Sequence, residues 1–324
     1  MQWSLGKRKI INMSSTIIKQ IKKVIINPRI VLSRFLMLDV VSKNLSDKTY
    51  LKWVYYLRTG KHLNLDHPVT FNEKIQWLKL HNTSEECTHW VDKYEARKLV
   101  AEKIGEQYLI PMLGCWDSFD EIVFDKLHNQ FVLKCSHDSG SVVICSDKNT
   151  FNWESAKVKL ESSMKHNFFW KGREYPYKNV RPRIICEKLM KDEKSKDIVD
   201  YKFFCFDGKP RVLFFASERF TSKDKVAKFD FYDMNLNHMP IKSADHENST
   251  VPLTLSAANF AKMKELCGIL SAGYPHVRVD FYVINNKIYF GELTFHHDGG
   301  FVNLEPDEWN TTFGNWIHLP TDTV

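Results

Sequence analysis

The sequence predicts an α+β protein with a helical N-terminal extension. Two observations carry this. Apolar-alternating runs fold back on themselves around Asp207-Gly208 and Asn285-Asn286, and amphipathic helical segments precede and separate them. Composition agrees, because 43% hydrophobic residues with 22 Phe, 12 Tyr and 9 Trp in 324 residues supply a large core and set disorder aside.

The first 36 residues carry Lys7, Arg8, Lys9, Lys19, Lys22, Lys23, Arg29 and Arg34, and Asp39 is the first acid. The formal net charge is +7, yet outside this arm 38 bases face 39 acids. A neutral body with a basic arm excludes a whole-surface nucleic-acid binder, and no nucleic-acid partner is expected. Residues 14–27 set Ile17, Ile18, Ile21, Val24 and Ile25 at helical spacing, Asn27-Pro28 ends that helix, and an apolar segment follows from Ile30 to Val41. Two readings stay open for residues 1–36: contact with an anionic membrane surface or a partner protein, or a helix packed on the body with its lysines in water. No stretch approaches the ~20 uncharged apolar residues of a membrane span. Lysines interrupt the unbroken apolar run a signal peptide needs. Seven cysteines without a C-x-x-C pair fit reduced thiols. A cytoplasmic protein is expected, either free or peripheral at the inner face of the membrane.

Residues 46–66 read as an aromatic helix. Thr70 and Glu73 have capping-box spacing ahead of a helix to about Leu80, and a further helix begins near Asp92 and stops near Gly105. Residues 108–114 read as a short buried segment. Residues 131–145 read as strand, small polar loop and strand, with Lys134 just before Ser136-His-Asp-Ser-Gly-Ser. Such a loop lets backbone N–H groups approach an anion. Residues 152–178 are mostly helical. Arg183 opens a strand with Glu187 near its end, Lys191 to Lys196 form a charged loop, and residues 200–215 a hairpin carrying Lys202. Residues 229–250 are irregular with one strand near Phe231. Residues 256–272 form a helix with Phe260, Met263, Leu266, Ile269 and Leu270 on its apolar face.

In Val277–Phe295 two acids, Asp280 and Glu292, interrupt runs of aromatic and β-branched residues. If the turn holds an odd number of residues, or the loop is bulged, the acids lie directly opposite, with Arg278 and Thr294 on the same face. Carboxylates that close repel unless a cation sits between them, and a hard divalent ion would suit. A plain two-residue Asn-Asn turn would put them on opposite faces.

The stretches FNEKIQWLKL (71–80), DKYEARK (92–98), YLIPMLG (108–114), FVLKCSHDSGS (131–141), YKFFCFDGKP (201–210) and VRVDFY…KIYFGELTF (277–295) together resemble the TupA-like ATP-grasp family. The resemblance implies an ATP-grasp fold, two α+β lobes holding ATP between them. It divides the chain into the extension (1–66), the N-terminal part of the body (67–128), a lid with the phosphate loop (129–190) and a core with the metal site (191–324). It implies ATP and Mg²⁺ as cofactors. Lys93 and Lys134 resemble the phosphate-binding lysines, and Ser136, Ser139, Gly140 and Ser141 the loop over the phosphates. Glu187 resembles the hinge acid at the nucleoside end, with Lys188 and Leu189 beside the adenine. Asp280 and Glu292 match the magnesium acids and Arg278 the arginine near the transferred phosphate; Lys202 is grouped with it as catalytic. Thr294 stands where many ATP-grasp ligases have a metal-binding Asn, and His296, His297 and Asp298 are candidates for acceptor binding.

The chemistry implied is carboxylate–amine ligation: a carboxylate becomes an acylphosphate, and an amine displaces phosphate to give an amide and ADP. The expected substrates are an amino acid and a hexuronic acid of a capsular or other cell-surface polysaccharide. A glycosyltransferase of the same pathway is the alternative. It usually carries a D-x-D metal motif, and Asp245-His-Glu247 is the nearest approach. A non-catalytic binding protein is a third reading, and it predicts no ATP turnover.

Overall fold

The structure, a computed structural model, describes residues 28–193, 198–217, 227–244, 246–249 and 252–320. The helix expected over residues 14–27 lies outside them, as do residues 194–197. Contacts divide the chain into two units, Met1–Leu63 and Asn64–Val324. In the first, α1 (Pro28–Leu36), α2 (Asp39–Ser42) and α3 (Asp47–Thr59) follow one another. Ser46 caps α3 by accepting from the Thr49 amide, and Gly60 ends it in the left-handed conformation at φ 75°.

The second unit opens with α4 (Phe71–His81), α5 (Glu85–Val91) and α6 (Ala96–Lys103). The capping box before α4 is complete: Thr70 Oγ1 accepts from the Glu73 amide, and the Glu73 carboxylate accepts from the Thr70 amide. Two antiparallel sheets follow. The first orders β1 (Met112–Trp116), β4 (Ile184–Lys188), β2 (Phe131–Cys135) and β3 (Val143–Cys145). The segment expected to be buried at 108–114 is instead half-exposed, because β1 is an edge strand and Met112 turns outward. Between β3 and β4, α7 (Trp153–Met164) and α8 (Phe169–Gly172) precede a turn of 3₁₀ helix at Tyr175–Tyr177. The second sheet orders β10 (Lys287–Thr294), β9 (His276–Ile284), β5 (Asp200–Phe206), β6 (Lys209–Ser217) and β7 (Lys228–Tyr232). A short pair, β8 (Lys242–Ser243) with β11 (Leu304–Glu305), lies outside both sheets. Helix α9 (Ala257–Ser271) precedes β9, and α10 (Glu308–Asn315) closes the unit.

Alternation along β5 and β9 decides what the larger sheet does. Phe203, Cys205, Val277, Val279 and Phe281 face α9, which buries Phe260, Met263, Leu266, Cys267 and Leu270 against them. Ile269, expected on that apolar face, is 40% exposed, and Cys267 takes its place inside. The opposite face is divided. One end carries Phe204, Phe206, Phe214 and Phe231, packed with Phe71, Ile75 and Phe313 from α4 and α10. The other end carries charge.

The register of β9 and β10 places the two acids opposite one another, but the shift that does so lies in the strand and not in the turn. Asn285 (φ 49°) and Asn286 (φ 61°) make the two-residue turn of a tight hairpin. That turn alone would separate the acids, yet Glu292 pairs with Asp280 and Thr294 with Arg278. The ladder runs regularly to Phe290–Phe281 and then absorbs Gly291 as an extra residue in a bulge. The condition on the acids is therefore met by the bulge and not by the turn. Glycine suits the site because an added Cβ would lie 3.1 Å from the Asp280 carbonyl oxygen and 3.2 Å from the Tyr282 ring.

His276, at the start of β9, is enclosed by Phe71, Phe204 and Phe206. Its Nδ1 pairs with the Cys205 carbonyl at 3.0 Å, and burial pushes its pKa down to about 3. The unfolded chain takes up a proton near pH 6.5 that the folded chain refuses, so this contribution to stability is full above pH 6.5 and declines as pH falls toward 3. His276→Phe removes the penalty. Urea denaturation should show wild type losing roughly 2 kcal/mol more than the variant between about pH 6.5 and 5; equal losses would contradict this. Gly291→Ala should destabilise by about 1–3 kcal/mol through overpacking against backbone, and a change below about 0.5 kcal/mol would contradict the tight bulge.

Candidate active site

Three directly opposed residues cross the charged end of the larger sheet: Glu292 on β10, Asp280 on β9 and Lys202 on β5. Asp280 is 1% exposed. Arg278, two residues earlier on the same face, grips it with both ends of the guanidinium, Nε donating to Oδ1 at 2.6 Å and Nη2 to Oδ2 at 2.7 Å. Lys202 Nζ also donates to Oδ2. Burial alone would raise the Asp280 pKa, but the Arg278 and Lys202 charges outweigh it and hold the carboxyl below its ordinary value. Burial likewise opposes the charge on Arg278, and Asp280 beside it raises its pKa instead.

Arg278 Nη2 also reaches Glu292 Oε1 at 2.9 Å, so both acids meet one guanidinium nitrogen. Thr294 Oγ1 donates to the same Glu292 oxygen at 3.1 Å. Arg278 Nη1 lies 2.5 Å from His297 Nδ1. Burial and then the Arg278 charge push the His297 pKa well down, so the ring is neutral, with Nδ1 accepting and the proton on Nε2.

The opposite wall comes from the smaller sheet. Lys134 on β2 and Glu187 on β4 face inward, while Leu133, Cys135, Ile184 and Cys186 alternate with them into a separate core. Lys134 Nζ pairs with Glu187 Oε2 at 2.6 Å and Arg97 with Oε1 at 3.4 Å. Lys93, Arg97, Lys134, Tyr177, Glu187 and Glu292 line one cleft. Lys93 Nζ donates to the Asp138 carbonyl, and burial lowers its pKa while Glu292 works the other way.

The small loop is built from within. Ser141 Oγ accepts from the Cys135 amide at 2.8 Å and donates to Asp138 Oδ1 at 2.7 Å, and Ser163 donates to Asp138 Oδ2. Ser136 Oγ donates to the Arg181 carbonyl at 3.3 Å. These hydroxyls hold the loop, while Ser139 and Gly140 are exposed at its tip. Among the described residues the amides of His137 to Gly140 have no protein acceptor. Consecutive free N–H groups of that kind can bind an anion.

Not every expected residue joins this group. Lys188 is exposed on the face of β4 opposite Glu187, its amide donating to the Pro111 carbonyl at 2.9 Å, and neither it nor Leu189 lines the cleft. His296, His297 and Asp298 diverge. His296 is buried with Nδ1 3.6 Å from Glu174 Oε2, His297 faces Arg278, and Asp298 is exposed at φ 48°. Among the described residues no group of three or more His, Cys, Asp or Glu gathers for a metal. Two participants went unnamed in the sequence. Asp200 lies 3.6 Å from Lys202 Nζ and two residues before it, so strand alternation could have found it. Arg97 lies inside the DKYEARK stretch, but nothing there points it at Glu187.

Magnesium fits the acids present. Oε1 of Glu292 takes both of that residue's hydrogen bonds, which leaves Oε2 with lone pairs in a residue that lines the cleft, and Oδ1 of the buried Asp280 directly across the ladder accepts a single bond. A hard ion that uses one or two carboxylates and completes its shell with water and phosphate matches this set.

A search of curated proteins returns no match. Among solved structures, the D-alanine–D-alanine ligase of Bacillus anthracis complexed with ATP is 17% identical, with a TM-score of 0.37 over 64% of this chain and 55% of that one. The D-alanine–D-alanine ligase of Helicobacter pylori is 15% identical, with a TM-score of 0.38 over 76% and 69%. The ATP-grasp ligase PsnB complexed with minimal precursor is 8% identical, with a TM-score of 0.37 over 69% and 58%. The chain thus spans between 55% and 69% of the length of these structures. The TupA-like ATP-grasp pattern matches residues 73–318, most of the chain, and the protein belongs to that family.

Proposed function

We propose that the protein is an ATP-dependent carboxylate–amine ligase that joins an amino acid to a hexuronic acid of a capsular or other cell-surface polysaccharide. One observation carries the reading. Half-exposed Glu292 shares a cleft with Lys93 and Lys134, and directly across the ladder from it the buried Asp280 is held by Arg278 and Lys202. Phosphoryl transfer needs charge neutralisation and alignment more than a protein nucleophile, and this cleft offers both.

In this account Lys93, Lys134 and the amides of residues 137–140 bind the phosphates. Lys134 exchanges Glu187 for a phosphate oxygen, which releases Glu187 to accept hydrogen bonds from the nucleoside. Asp280, Glu292 and Thr294 hold Mg²⁺, which when bound neutralises phosphate charge. Arg278, clamped on Asp280, presents a fixed cation where the uronate carboxylate attacks the γ-phosphorus and ADP departs. The amino-acid nitrogen then attacks the acyl carbon, phosphate leaves, and the nitrogen loses a proton. Lys202 balances the negative charge through both stages, and neutral His297, held against Arg278, flanks the acceptor.

The test is ADP release with Mg-ATP, a hexuronate and a panel of amino acids. ADP formation that requires both the hexuronate and an amino acid supports the ligase. Consumption of a sugar nucleotide with no ADP from ATP would sink it. Glu292→Gln should cut turnover by about 100-fold or more, in the range of other lost transition-state contacts, with an unchanged melting temperature because Glu292 is half-exposed. Asp280→Asn should lose activity and also about 3–5 kcal/mol of stability, since it strands two buried cations; a melting temperature equal to wild type would contradict that pairing.

A further inference from the structure

The polarity of the first unit is reversed between α1 and α2. Ile30, Val31, Leu32, Phe35, Leu38 and Val40 are all exposed, from 39% for Val31 to 74% for Val40. Ser33 and Ser42 in the same stretch are buried, at 3% and 0%. A helix on a water-soluble body places its residues the other way round. The two serines tolerate burial because each hydroxyl bonds within its own helix, Ser33 to the Ile30 carbonyl at 2.7 Å and Ser42 to the Asp39 carbonyl at 3.5 Å. The small side chains face inward, and the large apolar ones form the outer surface. Clustered exposure of that kind marks a docking surface.

Charge selects the occupant. Residues 1–36 carry eight bases and no acid, with Arg29 and Arg34 on α1 itself. A second copy of the chain would bring two such arms together and repel, and an apolar protein groove would have no use for the bases. An apolar face that carries exposed Arg29 and Arg34, whose one acid, Asp39 on α2, is paired with Lys43 at 3.0 Å, suits the headgroup–acyl boundary of an anionic bilayer. We propose that α1 and α2 dock the protein on an anionic lipid surface, with Phe35, Leu32 and Val40 entering the boundary and the bases meeting lipid phosphates. No described helix is long and apolar enough to cross a membrane, so the attachment lies in the plane of the interface.

The test is co-sedimentation of the full chain with vesicles of phosphatidylcholine alone or with phosphatidylglycerol added. Wild type should pellet with the anionic vesicles, at least tenfold more than with neutral ones, and release as salt rises. Leu32→Asp combined with Phe35→Asp should lower partition at least tenfold, and Arg34→Gln about fivefold. Phe35→Trp should retain binding, which shows that the Asp variant fails through polarity and not through misfolding. Equal pelleting with neutral vesicles overturns the proposal, as does no pelleting at all. It is also overturned if wild type self-associates in analytical ultracentrifugation and the double Asp variant is monomeric. ADP release without vesicles should match wild type in every variant, so a failed ligase reading and a failed docking reading are told apart.

Discussion

The buried Asp280 carboxylate and the two cations that hold it are the constraint around which the larger sheet is arranged. A lone charge at 1% exposure would cost several kcal/mol. Arg278 and Lys202 offset this only because strand register places one two residues away on the same face and the other directly across the ladder. The sheet also needs the opposite faces of β5 and β9 to be fully apolar, so that α9 can seal the site from behind. Charge on one side and packing on the other follow from a single alternation.

The cleft without substrate is a set of internal ion pairs. Lys134 and Arg97 share Glu187, Arg278 joins Asp280 to Glu292, and Lys93 rests on the Asp138 carbonyl. Each cation is thus held near where a polyanion would sit, with little side-chain freedom left to lose on binding. Substrate binding on this account exchanges partners and does not create charges. Asp280 is buried and fixed by two cations, whereas Glu292 beside it is half-exposed and, under the proposed function, is the acid that exchanges partners.

Much of this was legible in the sequence where local rules decide the outcome. The Thr70–Glu73 box, the Asp207-Gly208 turn and the Asn285-Asn286 turn form where their residues indicated. The pairing of Asp280 with Glu292 was legible only as a condition, because a bulge at Gly291 is set by packing between strands and leaves no more mark than one glycine. Arg97 reached Glu187 through tertiary placement, which spacing does not encode. The adjacent His296 and His297 separate into two environments, one beside Glu174 and one against Arg278, and only the fold assigns which faces the site. The reversed polarity of α1 was hidden for another reason: the segment Ile30–Val41 reads only as apolar, with packed and surface-docked readings both open, and the buried Ser33 and Ser42 show which side faces out.

The most direct measurement is a crystal structure with Mg²⁺ and a non-hydrolysable ATP analogue. The account predicts the triphosphate lying between Lys93 and Lys134 on one wall and Glu292 on the other. Lys134 Nζ should have left Glu187, and magnesium should bridge a phosphate oxygen to Glu292 and Asp280. A nucleotide bound outside this cleft, or one bound within it while Lys134 remains paired with Glu187, would contradict the account.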